Sequence, residues 1–220
     1  MALTAWSYMW RTTPVHRWEM SGSLPDDAPP ELPAGVDRTD VQGIGDGTGP
    51  IVHRIYRTRI VGGRMAPEEL VRRIAADLDA VAPSEFATFQ ALDGDGPLAV
   101  GDDWVVRMPG PWDGPVRVID LQPDSFRLAT LTGHLEAGQI EFRARCEDGE
   151  PEPEFVFEIE SWARPGDRVS HLLYNKLLLA KEIQLNLWTE TCLGVVRNSG
   201  GTLSKGVRVH TRRVPDPLAE

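Results

Sequence analysis

An imidazole and a carboxylate stand two residues apart in the sequence Gly-His-Leu-Glu-Ala-Gly, at His134 and Glu136. Side chains two positions apart in an extended chain lie on one face, so these two groups are placed to interact. A neighbouring carboxylate raises the pKa of an imidazole, which would make His134 a catalytic acid or base near neutral pH with Glu136 orienting it. The competing interpretation is a hairpin turn in which both side chains hold backbone groups.

A second group of candidate residues would bind a ligand rather than transfer protons. Tyr174 and Asn175 lie on a predicted C-terminal helix, where they either orient a ligand in a cavity or lie at the solvent-exposed edge of the helix. For Gln184, on the same helix, we expect the solvent-exposed edge. Aromatic and aliphatic side chains would supply the apolar lining, although each one taken singly also fits an ordinary core. The predicted lining residues are Trp104, Ile140, Phe142, Phe155, Phe157, Leu173, Leu177 and Trp188.

The residue types that ligate metals or act as nucleophiles are not spaced for those roles. The five histidines are dispersed, and the chain has neither a Cys-x-x-Cys nor a His-Glu-x-x-His motif. Cys146 falls on the apolar face of a predicted strand, where a thiol behaves as a small buried hydrophobe. We therefore expect no metal and no cofactor.

The charge balance argues against a nucleic-acid partner. Among 220 residues, 33 are acidic and 23 are Lys or Arg, which gives a formal net charge of −10, whereas phosphate binding needs a basic surface. Two cysteines make no disulfide framework, and no apolar run reaches the roughly 18–20 residues of a membrane span. We expect a cytoplasmic protein without a membrane span, and a protein partner or a homodimer stays open.

Residue patterns predict an N-terminal arm followed by a β-rich domain. Residues 1–50 are rich in Trp, Pro and Gly, which predicts an extended arm laid over the domain with Trp6, Trp10 and Trp18 as anchors. For residues 21–49 the composition agrees equally well with a loosely ordered tail. Apolar residues at helical spacing predict a helix over residues 67–81. Strands are predicted at residues 51–61, 102–108, 116–121, 126–131, 139–146 and 155–160.

Alternation in the last two of these strands gives one apolar and one charged face, which is typical of an antiparallel sheet covered on a single side. The predicted cover is a long helix over residues 168–193, with Asp167 as its N-cap and no Gly or Pro before Gly194. Its length would be nearly 40 Å at about 1.5 Å per residue. Residues 206–214 alternate again and predict a late edge strand.

This order of elements indicates an α+β fold of the helix-grip type, in which a curved antiparallel β-sheet wraps around a long C-terminal α-helix. The predicted organisation is an arm at residues 1–50, a helix-grip domain at residues 51–195 and a C-terminal extension at residues 196–220. Sheet and helix in this arrangement splay apart and leave an elongated apolar cavity, where small-molecule sites usually lie.

The segment around His134 resembles a family called domain of unknown function nineteen-ninety, whose hallmark is Gly-His-Pro-Glu-x-Gly-Glu leading into a strand. The resemblance implies membership of the START-like, polyketide-cyclase-like (SRPBCC) superfamily. Members of that superfamily bind lipids, sterols, hormones or polyketides, and a minority catalyse cyclisation, dehydration or hydrolysis. The matching positions are Gly133, His134, Glu136, Gly138 and Phe142, whereas Leu135 replaces the Pro and Gln139 the final Glu of the motif.

Three functions follow from these observations. The first is binding of a hydrophobic or amphipathic small molecule in the cavity between sheet and helix. The second is a cofactor-free biosynthetic enzyme of the cyclase, dehydratase or isomerase type, which would act on a natural-product intermediate in the same cavity through His134 and Glu136. The third is a structural or interaction module whose cavity is filled by side chains and whose arm meets a partner.

Overall fold

The computed structural model describes residues 14–92, 96–108, 113–146, 154–166 and 178–216, with the backbone alone for residues 178–183. The described residues form nine strands and two α-helices. The helices are α1 (Pro67–Ala76) and α2 (Leu178–Ser199), and 3-10 turns lie at Ile44–Asp46 and Leu78–Ala80. The strands are β1 (Val15–Ser21), β2 (Ile51–Val61), β3 (Thr88–Ala91), β4 (Asp103–Arg107), β5 (Asp113–Leu121), β6 (Ser125–Thr130), β7 (Glu136–Cys146), β8 (Phe155–Pro165) and β9 (Thr202–Val214).

The nine strands form one sheet in the order β1-β9-β2-β8-β7-β6-β5-β4-β3. β1 pairs with β9 in parallel, and the other neighbours are antiparallel. The helix α1 packs against β7 and β6, while α2 packs against β2, β9, β8 and α1. The predicted α+β class, with an antiparallel sheet and a long C-terminal helix, is confirmed at this level.

Helix α1 begins where the sequence predicts and ends earlier. Pro67 occupies its first turn together with two glutamates, which complement the positive end of the helix dipole. The chain turns extended at Asp77 (φ −155°), whose side chain accepts from the N–H of Ala80 and starts a 3-10 turn. The predicted continuation to residue 81 is therefore replaced by a tighter turn.

Helix α2 continues past the glycine that the sequence predicts as its end. Gly194 lies inside the helix, and a Cβ atom at this position would stand 2.1 Å from the carbonyl oxygen of Val81. Glycine is needed here because the helix approaches the backbone that follows α1, so the predicted end at residue 193 is wrong. The predicted N-cap and first turns, residues 167–177, lie outside the described residues.

The last strand is present but is not at an edge. β9 lies between β2 and β1, and β1 pairs with it from Val15 opposite Val207 to Ser21 opposite Arg213. The prediction of an edge strand is wrong because the sequence pattern gave no indication of β1. The short strand β3 was not predicted either.

The inner face of the sheet, which packs on the helices, holds the apolar core. One cross-strand row runs through Tyr56, Ile159, Phe142 and Phe126, all of them fully buried. The rings of Phe126 and Phe142 stack with centroids 4.7 Å apart, and Trp188 of α2 meets Phe142 edge-on at 5.5 Å. This packing fixes the position of α2 over the middle of the sheet.

The outer face is buried as well, contrary to the prediction of a single covered side. Glu158, Glu160 and Arg164 are each less than 9% exposed. A segment formed by residues 22–49, named here the N-terminal segment, supplies backbone acceptors to arginines of this face, for example the carbonyl of Thr39 to Arg117 (2.9 Å). The centre of the charged face is therefore internal, whereas Arg57 and Arg145 on the same face remain partly exposed.

The tryptophans predicted as anchors of the arm do not all have that role. Trp18 lies on β1, is 43% exposed, and stacks on His210 of β9 with ring centroids 4.6 Å apart. It is therefore a surface residue of the sheet. Trp6 and Trp10 lie outside the described residues.

Candidate functional site

The His134 ring is bound to backbone. The backbone N–H of Glu136 donates to Nδ1 of His134 (2.9 Å), and Nε2 lies against β5, where a Cβ at Gly114 would stand 2.9 Å away. Burial lowers the pKa of His134 to about 4, so the imidazole is neutral at pH 7. The predicted rise of this pKa is wrong, because the backbone of Glu136 faces the ring and burial outweighs that contact.

The glycines beside His134 explain the shape of this turn. Gly133 has a φ of +99°, and a Cβ at Gly138 would stand 1.9 Å from the carbonyl oxygen of Trp162 on β8. The side-chain amide of Gln42, from the N-terminal segment, donates to the carbonyls of His134 (3.0 Å) and Glu136 (2.9 Å). The motif thus forms a braced turn that starts β7.

The backbone of Glu136 contacts His134, whereas its carboxylate contacts α2 and so links the sheet to this helix. The side-chain amide of Gln184, on α2, donates to Oε2 of Glu136 (2.9 Å). The structure therefore places Gln184 against β7, and the predicted position at the solvent edge of the helix is wrong. Glu136 is the first polar residue of a site between sheet and helix.

An arginine that belongs to no sequence motif lies on the same side of the sheet. Arg54 is 8% exposed, donates from Nε to the hydroxyl of Thr211 (3.1 Å), and donates from NH1 to the hydroxyl of Tyr56 (3.2 Å). Burial raises the pKa of Tyr56, the guanidinium of Arg54 opposes this rise, and the negative charge of Glu136 adds to it. We name these side chains the inner polar cluster. It consists of two hydrogen-bonded groups, one formed by Arg54, Tyr56 and Thr211 and the other by Glu136 and Gln184.

The sequence carries an indication of Arg54. Even-numbered positions of β2 face inward, as the buried Tyr56, Thr58 and Ile60 do, and Arg54 falls on that alternation. A charged residue at an inward position of an otherwise apolar face is unusual unless it is paired. The alternation of β2 is therefore sufficient to single out Arg54 as a candidate site residue.

The predicted lining residues that the structure describes all belong to or pack on the apolar core. Phe142 and Phe157 are fully buried, and Trp188 is 8% exposed. Trp104 and Ile140 are partly buried against the same core. Phe155 is 3% exposed on β8. The remaining predicted residues, Leu173, Tyr174, Asn175 and Leu177, lie outside the described residues.

Two tryptophans of this group have an unpaired polar atom. The indole nitrogens of Trp104 and Trp188 are buried, and neither has a hydrogen-bond acceptor among the described residues. Most buried polar groups in proteins are paired, so such atoms call for an explanation.

The cysteines do not supply a nucleophile to this site. Cys192 is fully buried on α2, and burial raises the pKa of its thiol to about 12. Cys146 is exposed at the end of β7, which corrects the prediction of a buried position. Among the described residues, no group of three His, Cys, Asp or Glu side chains could hold a metal ion. No described helix combines the length and apolarity needed to cross a membrane.

Comparison with known families identifies the chain's relatives. Residues 31–186 match the profile of the family described as Domain of unknown function (DUF1990). The chain belongs to this family. The resemblance seen around His134 is thereby confirmed, and the matched range of this DUF1990 protein includes part of the N-terminal segment as well as β2–β8. No curated protein matches the chain.

Comparison with solved structures finds matches at low sequence identity. A Nitrosospira multiformis protein has 12% identity and a TM-score of 0.47, with 66% of this chain and 95% of that chain covered. A truncated norcoclaurine synthase from Thalictrum flavum has 11% identity and a TM-score of 0.46, with 69% and 95% covered. A Deinococcus radiodurans protein has 21% identity and a TM-score of 0.35, with 58% and 94% covered.

Proposed function

We propose that this DUF1990 protein encloses a hydrophobic or amphipathic small molecule between the inner face of its sheet and α2, in a helix-grip arrangement. The observation that carries the proposal is the inner polar cluster. Burying a guanidinium costs free energy, and well-packed apolar side chains commonly stabilise a core as well or better. A buried arginine beside a buried tyrosine on an apolar face is therefore better explained by ligand orientation than by stability.

The layout of the inner face supports a ligand with two unlike ends. Arg54 and Ser161 are cross-strand neighbours, and Ser161 in turn lies opposite Ile140. The next row toward the other end of the strands contains Tyr56 and Phe142 and is apolar apart from the tyrosine hydroxyl. We place the apolar body of the ligand against Phe142 and its polar end toward Arg54.

The catalytic alternative has less support in the titration behaviour of the site. An acid–base catalyst works best with a pKa near the operating pH. The pKa of His134 is about 4, that of Cys192 is about 12, and burial raises that of Tyr56 above its usual value. Binding is therefore our first proposal.

The test uses 1-anilinonaphthalene-8-sulfonate, a fluorescent probe with an apolar body and an anionic end. We expect one probe molecule per chain. Ile140→Phe places added volume on the inner face and should weaken binding at least about tenfold, which corresponds to about 1.4 kcal/mol. The matched control is Ile55→Phe, which makes the same change on the outer face of β2 and should leave the affinity unchanged.

Urea unfolding of both variants verifies that each remains folded. Native mass spectrometry of the protein, isolated without denaturant, gives a second readout and should show a bound mass that Ile140→Phe reduces. Absence of probe binding to the unmodified protein, or equal losses in both variants, would contradict the proposal.

A further inference from the structure

Three of the unpaired buried nitrogens, two on α2 and one on β4, belong to side chains of the core side of the molecule, and each of these nitrogens can only donate a hydrogen bond. An indole N–H is a donor only, and the side-chain nitrogen of an asparagine is also a donor. Nε1 of Trp188, Nε1 of Trp104 and Nδ2 of Asn186 are buried without an acceptor among the described residues. A buried donor without an acceptor costs free energy, so the folded protein gains when an acceptor enters.

Trp188 is the best placed of these donors. Its side chain is more than nine-tenths buried, and its ring meets Phe142 edge-on in the apolar row that we assign to the body of the ligand. Trp104 packs on the same core from β4. These two side chains combine a broad apolar surface with a single directed N–H group.

We infer that the ligand carries a carbonyl or carboxylate oxygen that accepts a hydrogen bond from Nε1 of Trp188. This inference rests on the proposed function. Trp104 provides a second donor to the same ligand. The ligand class is therefore an apolar ketone or carboxylic acid, and a pure hydrocarbon of the same shape fits less well. The indole pair thereby sets the chemistry of the ligand, whereas the inner polar cluster sets the orientation.

Two probes of nearly equal size separate this inference from the proposed function. They are 2-acetylnaphthalene and 2-ethylnaphthalene, which differ in one carbonyl oxygen. The ratio of their Kd values is measured on the full chain and on Trp188→Phe, which keeps an aromatic ring and removes the N–H group. We expect the preference for the ketone to fall about fivefold in the variant, as loss of one ordinary hydrogen bond predicts. Taking the ratio cancels the different hydrophobicity of the two probes.

Trp162→Phe is the matched control, because the Trp162 indole stacks on His53 at the outer face, with ring centroids 5.2 Å apart. It should leave the ratio unchanged. Trp104→Phe should lower the ketone preference like Trp188→Phe. If Trp188→Phe does not fold, benzothienylalanine at position 188 keeps the bicyclic shape without the N–H group and gives the same comparison.

The outcomes are distinguishable. If neither probe binds the unmodified protein, the proposed function fails. If both probes bind and their Kd ratio is equal in the unmodified protein and in the variants at positions 188 and 104, the binding function stands and this inference is overturned, because the N–H groups then contact water rather than the ligand.

Discussion

The outer and inner faces of the sheet both bury polar side chains, but they pair them differently. On the outer face, His53 lies between two carboxylates, with Nδ1 2.7 Å from Asp27 and Nε2 2.7 Å from Glu160. Arg143 contacts Glu160 at 2.6 Å. On the inner face, the indole of Trp188 has its single polar atom buried without an acceptor among the described residues. The outer face pairs its charged groups within the chain, although Nε of Arg127 and Nε of Arg164 are also buried there without an acceptor among the described residues. The Trp188 indole differs from these arginines because it has no second polar atom that could be paired.

The source of the pairing partners explains this difference. Asp27 belongs to the N-terminal segment, where its side chain also accepts from the N–H of Ser23 (2.8 Å). The segment therefore carries its own counter-charge to the outer face and closes it. The inner face is covered by α1 and α2, and although the buried side chains of α2 include Asn186, Thr189 and Thr191, none of these accepts from the Trp188 indole. The N-terminal segment thus attaches to the outer face, and the ligand that we propose lies against the inner face of the same sheet.

The largest expected effect tests whether the outer network holds the N-terminal segment in place. Glu160→Ala removes a carboxylate that pairs with both His53 and Arg143, which keep Asp27 and Glu158 respectively as their closest partners. Because two charge-assisted contacts of about 1.5–3 kcal/mol each are lost, we expect a loss of about 3–5 kcal/mol in the free energy of unfolding. The matched control, Asp113→Ala, removes the partner of Arg107 from an exposed ion pair and should cost less than about 1 kcal/mol. Urea unfolding measures both. Equal effects in the two variants would mean that the outer face is solvated.

A smaller effect is expected from pH. Burial alone would lower the pKa of His53, but the hydrogen bonds and charges of Glu160 and Asp27 outweigh it and raise that pKa. A raised folded pKa gives stability that is fully present below the unfolded value of about 6.5 and is lost as pH rises through the folded value. We expect a loss of about 1.5–3 kcal/mol, that of one hydrogen bond to a charged group.

The measurement is the urea midpoint between about pH 6 and pH 9, before and after His53→Gln. The variant should lose this pH dependence. Three side chains face the His53 ring: the carboxylates of Asp27 and Glu160 and the ring of Trp162. Arg212 also contacts Asp27 (3.4 Å), and Arg143 also contacts Glu160 (2.6 Å). An unchanged slope in the variant would assign the titration to another group.

The sequence was informative where one local pattern decides the outcome. The β-branched run of residues 51–61 ends at Gly62-Gly63, and β2 has those bounds. Pro67 and its glutamates likewise locate the start of α1. Such elements depend on neighbours in the chain, so no distant contact can move their ends far.

The burial of the outer face could not be predicted in this way. Alternation shows that Glu158 and Glu160 share a polar face, but it does not show whether another segment covers that face. Their partners include His53, and the cover includes Asp27, more than a hundred residues earlier in the chain. Pairing at such a distance in sequence leaves no local pattern, which is why alternation predicts exposure for charged residues that are in fact buried.

The candidate site shows the same division. Spacing placed His134 and Glu136 in one turn, but the positive φ of Gly133 directs the chain so that the imidazole meets backbone and the carboxylate meets Gln184. The catalytic pairing of the two side chains depended on a straight strand. Arg54, in contrast, was accessible to sequence reasoning through its inward position on β2.

The smallest effect concerns how closely α2 approaches the rest of the inner side. In an isolated helix, Gly194→Ala would stabilise by about 1 kcal/mol, because alanine has the higher helix propensity. Here the added Cβ would stand 2.1 Å from the carbonyl oxygen of Val81, and the helix must shift to relieve the overlap. Overpacking of this kind costs about 1–3 kcal/mol, so we expect a net destabilisation of about 1 kcal/mol in urea unfolding. Arg197→Ala, at an exposed position of the same helix, should change stability by less than about 0.5 kcal/mol. A gain in stability for Gly194→Ala would mean that α2 stands farther from Val81. The side of the proposed ligand site that α2 forms would then lie farther from the sheet as well.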